Sequence, residues 1–127
     1  MKILKDYPPN YRQIKEKFNP PIRAVFTYGD TLYCPSSDKI PPDLLVHETV
    51  HSLQQGRQPE IWWDAYFKDP TFRLNEELKA YRNQFQFYKK KNKAWMPFLK
   101  RIASDLSSPM YGNIISYKEA MNKILYG

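Results

Sequence analysis

The chain has two histidines, His47 and His51, and they stand four residues apart in His47-Glu48-Thr49-Val50-His51. On a helix, positions four apart lie one above the other on the same face. Both imidazoles can then address one ion. Glu48 is rotated by about 100° from His47, close enough to reach a water on that ion without replacing a histidine. Two nitrogen ligands, an open position and a carboxylate that takes a proton from bound water are the parts of a zinc hydrolase. The competing reading is coincidence, two core or surface histidines at helical spacing. The flanking sequence argues against it.

Those residues must be carried by a helix, and the flanks supply one. Ile40-Pro41-Pro42-Asp43 places proline in the first turn and an acid at the positive end of the dipole. Gly56 is a natural stop. Val46, Val50 and Leu53 form an apolar side about 90° from the histidines. The expectation is that this side packs and the ligands face a cleft. Upstream, residues 1–21 read as an irregular, proline-rich start holding one short helix, Tyr11–Phe18, ended by Asn19-Pro20-Pro21. Residues 22–28 and 31–34 are β-rich and flank Gly29-Asp30, which reads as a hairpin. A polar loop over residues 35–39 follows.

Downstream, residues 59–67 read as a short aromatic helix. Asp69-Pro70 then supplies an N-cap and a first-turn proline for a long helix over residues 71–90. Leu74, Leu78, Tyr81, Phe85 and Tyr88 recur along it as one buried stripe. Two more helices are expected over 94–102 and 117–125. The fold class is α+β, with a small N-terminal hairpin or sheet and a mainly helical C-terminal half.

Length supports one domain over residues 1–127, with 42% hydrophobic residues for its core and 16% aromatics to pack it. The one cysteine, Cys34, allows no internal disulfide, which suits a reducing compartment. No apolar run is long enough to span a membrane, and Met1-Lys2-Ile3-Leu4-Lys5-Asp6 has no signal-peptide character. A cytoplasmic protein is expected. The net charge of +7 admits nucleic acid as a partner. The basic residues are scattered, however, except for Lys89-Lys90-Lys91-Asn92-Lys93. That run sits where the long helix ends, and a solvated helix end is the favoured reading.

Two histidines need a third protein ligand to hold zinc. A ligand six residues past His51 would fall at Arg57, which is unsuited. The carboxylates left are Asp64, Glu76 and Glu77. Asp64 lies in the aromatic helix without a supporting motif. On the long helix Glu77 lies at the edge of the buried stripe, and Glu76 lies almost opposite. Glu77 is therefore the preferred ligand, and Ala80 one turn on leaves room for a close helix approach. With no histidine left, a tyrosine or arginine must stabilise a developing oxyanion. Tyr81, one turn from Glu77, is the first candidate, although it equally suits the core. Arg73 and Tyr28 are weaker.

The motif, followed by Glu77-Leu78-Lys79-Ala80-Tyr81, resembles a gluzincin-type zincin metallopeptidase. More narrowly, residues 25–33, His51-Ser52-Leu53-Gln54-Gln55 and the run Trp62…Tyr66…Asp69-Pro70…Phe72-Arg73 resemble small zincin-like proteins of bacteriophages and prophages. The likeness covers roughly residues 22–90. It implies a minimal zincin-like domain: a small sheet on an active-site helix and a glutamate-bearing helix. It further implies a Zn²⁺ cofactor on His47, His51 and Glu77, Glu48 as general base, and a peptide or protein substrate. In such proteins the sheet edge pairs with extended substrate, a role that would fall to the hairpin. The chain departs from the thermolysin-like pattern in two ways. It lacks the Asn-Glu-x-x-Ser-Asp form and a third histidine. Two other readings therefore stand beside the peptidase: a noncatalytic zinc-binding phage structural or interaction protein, and a DNA-associated protease resembling SprT-like proteins.

Overall fold

The computed structural model describes residues 1–37 and 39–127. Asp38, in the polar loop expected over 35–39, lies outside the described residues. The fold is α+β: the described residues form a three-stranded sheet and six α-helices, with a mainly helical C-terminal half. The strands are β1 (Lys2–Leu4), β2 (Phe26–Tyr28) and β3 (Thr31–Tyr33), in the order β1-β3-β2. The helices are α1 (Tyr11–Phe18), α2 (Pro42–Gln55), α3 (Pro59–Lys68), α4 (Pro70–Lys91), α5 (Met96–Leu106) and α6 (Tyr117–Tyr126), with a 3-10 turn at Pro109–Tyr111.

The hairpin forms at Gly29-Asp30 as its sequence predicts, β2 pairing antiparallel with β3. Strand β1 departs from the irregular start expected for residues 1–21. It joins β3 in parallel, Ile3 opposite Leu32. All three of its residues are exposed, so no alternation of apolar and polar residues marked it.

Helix ends follow local chemistry closely. Asn19 caps α1 in the left-handed conformation. Gly56, at φ 56°, ends α2. The Asp69 carboxylate accepts hydrogen bonds from the N–H groups of Thr71 and Phe72 and starts α4. Helix α5 begins at Met96 rather than 94 and runs to Leu106, because Phe98, Leu99, Ile102, Ala103 and Leu106 extend one buried face.

The burial of α2 reverses the expectation. Its buried residues are His47, Glu48, His51 and Gln55, whereas Leu53 is 78% exposed and Val46 and Val50 are half-buried. The side that packs is the histidine side. Helix α4 lies against it and runs antiparallel, bringing Gln84 to Asp43 and His47, and Glu77 to His51. Polar partners on α4 make burial of polar side chains tolerable where apolar packing was expected.

Two apolar clusters flank this helix pair. One joins α4, α5 and α6 through Leu78, Phe85, Leu99, Ile102, Leu106 and Ile124. The other is largely aromatic and joins α1, β2 and α3 through Ile14, Phe26, Trp62, Trp63 and Tyr66.

Candidate metal centre

His47 and His51 project from one face of α2 onto Glu77 of α4. Glu77 Oε1 lies 3.1 Å from His47 Nε2 and 3.0 Å from His51 Nε2. All three side chains are buried, and one ligand atom from each lies within 4.8 Å of the others. This group could hold a metal ion. Metal–donor bonds of 2.0–2.1 Å in a tetrahedral site put neighbouring donors roughly 3.3 Å apart. The two Glu77–histidine separations are slightly shorter.

Each ligand is oriented from behind. His47 Nδ1 donates to Gln84 Oε1 at 2.9 Å, and His51 Nδ1 donates to Gln54 Oε1 at 2.8 Å. The amide orientations are fixed in turn. Gln84 Nε2 donates to Asp43 Oδ2, and Gln54 Nε2 donates to the Glu76 carbonyl. Neither of those acceptors can donate, so both glutamine oxygens must face the imidazoles, and both Nδ1 atoms carry hydrogen. A neutral imidazole then turns a lone pair at Nε2 toward the lone pairs of Glu77 Oε1. Only a proton or a cation between them relieves that repulsion.

Without an ion the protons do this work. Burial would lower the His51 pKa, but the adjoining Glu77 carboxylate outweighs it and pushes it up to about 9. Burial would raise Glu77, yet His51 and the hydrogen bonds from both imidazoles hold it well below the usual carboxylate range. The second Glu77 oxygen, Oε2, accepts a hydrogen bond from Tyr66 Oη at 2.6 Å.

Glu48 sits beside the three donors but is not aligned with them. Thr27 Oγ1 donates to its Oε1 at 3.0 Å, leaving Oε2 on the histidine side, 3.7 Å from His47 Nε2. Burial pushes the Glu48 carboxyl up, against the opposing pull of His47 and His51. These four side chains lie on the wall of a cavity of about 540 Å³, whose other walls include Phe18, Pro20, Pro21, Val25, Phe26 and Tyr111. Tyr81 also lines it, its ring edge-on to His47 at 4.4 Å. The Tyr81 hydroxyl shares a 2.7 Å hydrogen bond with that of Tyr111. Burial raises the pKa of both hydroxyls well above the ordinary value, so both stay protonated at neutral pH. A pair of hydroxyls uses one proton between them and leaves the other for a further acceptor.

The remaining candidates lie elsewhere. Glu76 turns away from the histidines and accepts from Trp62 Nε1 at 2.7 Å. Asp64 is an exposed partner of Lys68. Arg73 is buried, but its guanidinium donates to the carbonyls of Tyr66 and Tyr111 and so does not face the ligands. Tyr28 lies outside the cavity, beside Glu60. Strand β2 is the sheet edge next to α2, yet the Thr27 carbonyl already accepts from Gln55 Nε2 and Trp63 Nε1. At that position the acceptor an added strand needs is taken.

Several contributors were not recognised from sequence. Asp43, Gln54 and Gln84 stand one or two turns from a ligand on its own helix, and that spacing was a usable signal. Thr27, Tyr66 as a Glu77 partner and Tyr111 come from other elements, and nothing local marks them. No family model matches the chain, and neither a curated protein nor a solved structure matches it.

Proposed function

We propose that the chain is a zinc-dependent metallopeptidase of gluzincin type, with His47, His51 and Glu77 as ligands. The observation that carries this reading is a second buried acid, Glu48, held beside the three donors and not among them, on a cavity wall. A purely structural zinc would take four protein ligands and leave no cavity at the ion. Zinc bound there supplies Lewis acidity, lowering the pKa of water and polarising a carbonyl.

The chain's own residues do the rest. Glu48 takes a proton at Oε2, with Thr27 fixing its other oxygen, and passes it to the leaving amine. Burial raises its pKa above the ordinary carboxylate value, which makes it a stronger base than an exposed glutamate. Tyr81, through the proton its pair with Tyr111 leaves free, donates to the developing oxyanion. The aromatic and proline walls suit a peptide carrying an apolar side chain next to the scissile bond.

Replacing Glu48 by Gln keeps the shape and removes the base. The Glu48→Gln protein is expected to retain its zinc while cleavage of a fluorogenic peptide library falls by about 10²–10⁴-fold. Cleavage at the wild-type rate would overturn the assignment of the base.

A further inference from the structure

Glu77 has two carboxylate oxygens, and the structure separates their tasks. Oε1 faces both Nε2 atoms, while Oε2 accepts from the Tyr66 hydroxyl at 2.6 Å, a short, charge-assisted bond. We propose that Tyr66 is the positioning residue of this centre, reserving Glu77 Oε1 for the metal by keeping Oε2 occupied. The inference rests on the metal reading above. It concerns a residue that no motif spacing marks.

The placement of Tyr66 is fixed from several directions. Its ring stacks on Trp62 at 4.9 Å and meets Phe18 and Trp63 edge-on. Its carbonyl accepts from Arg73 Nη1 at 2.6 Å, one turn before Glu77 on the same helix. Arg73 is itself buried, with its guanidinium carbon 5.8 Å from the Tyr66 ring centroid. The hydroxyl can therefore hardly turn away from Oε2. A carboxylate with both oxygens free can embrace an ion with both and fill a position that water needs. One with Oε2 bonded elsewhere offers a single oxygen and leaves that position open. An outer hydrogen bond of this kind is worth about 10–100-fold in metal affinity.

The test is Tyr66→Phe in the full chain, with zinc affinity measured by chelator competition and visible absorption recorded after loading with Co²⁺. Tyr111→Phe is the control, because it removes from the same cavity a half-buried hydroxyl whose hydrogen-bond partner is Tyr81 rather than Glu77. Tyr66→Phe is expected to lose about 10–100-fold in zinc affinity and to weaken the cobalt bands as coordination number rises. Tyr111→Phe is expected to match wild type in both. Unchanged affinity and spectrum in Tyr66→Phe overturn the proposal, as do equal changes in the two variants. If circular dichroism shows that Tyr66→Phe has lost its fold, Tyr66→His, which keeps a ring donor, must restore part of the affinity, and its failure to do so counts against the proposal. A wild type that binds neither ion overturns the metal reading and this inference with it. A wild type that binds zinc while Tyr66→Phe binds it equally well overturns this inference alone.

Discussion

Inside the protein, two imidazole nitrogens and one carboxylate oxygen converge at hydrogen-bond distance, an arrangement that requires a proton or a cation. That requirement sets a pH dependence for the metal-free chain. The His51 pKa rises from 6.5 to about 9 on folding, so its contribution to stability is complete below pH 6.5 and is lost as pH climbs through 9. The Glu77 pKa is lowered from 4.5, so its contribution is present above that value and fades as pH falls through its folded pKa. Chelator-treated protein should therefore lose Tm between pH 6.5 and 9, and saturating zinc should flatten that slope because the ion replaces the proton. A metal-free Tm that stays level over this range would contradict the buried His51–Glu77 pair.

At the scale of elements, α2 and α4 decide the site, and α2 holds the main surprise. Leu53 looked like core, yet it is 78% exposed. Leu53→Ser should change stability by less than about 0.5 kcal/mol in chemical denaturation. Leu99→Ala, fully buried between α4, α5 and α6, should cost about 2–5 kcal/mol. The contrast shows which signals were legible. His47, His51 and the inward face of Glu77 could be read because helical spacing alone sets them. The caps at Asp69 and Gly56 were readable because the chemistry of a single residue sets them. The buried side of α2 was not, because it depends on which partner helix brings matching polar groups. Strand β1 gave no pattern, since its partner β3 is distant in sequence, Lys2 pairing with Thr31, and its side chains are exposed. Tyr66 and Tyr111 reach the site through tertiary packing, which no local period encodes.

Over the whole molecule, the site lies between two apolar clusters, with Tyr81 contributed by one and Trp62 and Tyr66 by the other. The net charge of +7 is carried largely at the surface. At the end of α4, the ammonium groups of Lys89 and Lys91 lie over the rings of Trp95 and Phe87. Among the described residues, no helix is long and apolar enough to cross a membrane. The claim on which everything else depends is that His47, His51 and Glu77 hold zinc together. Metal content of the purified wild type beside Glu77→Ala and Glu76→Ala tests it most directly. One zinc per chain in wild type and Glu76→Ala, with loss in Glu77→Ala, is the predicted result. Zinc retained in Glu77→Ala, or lost only in Glu76→Ala, would contradict it.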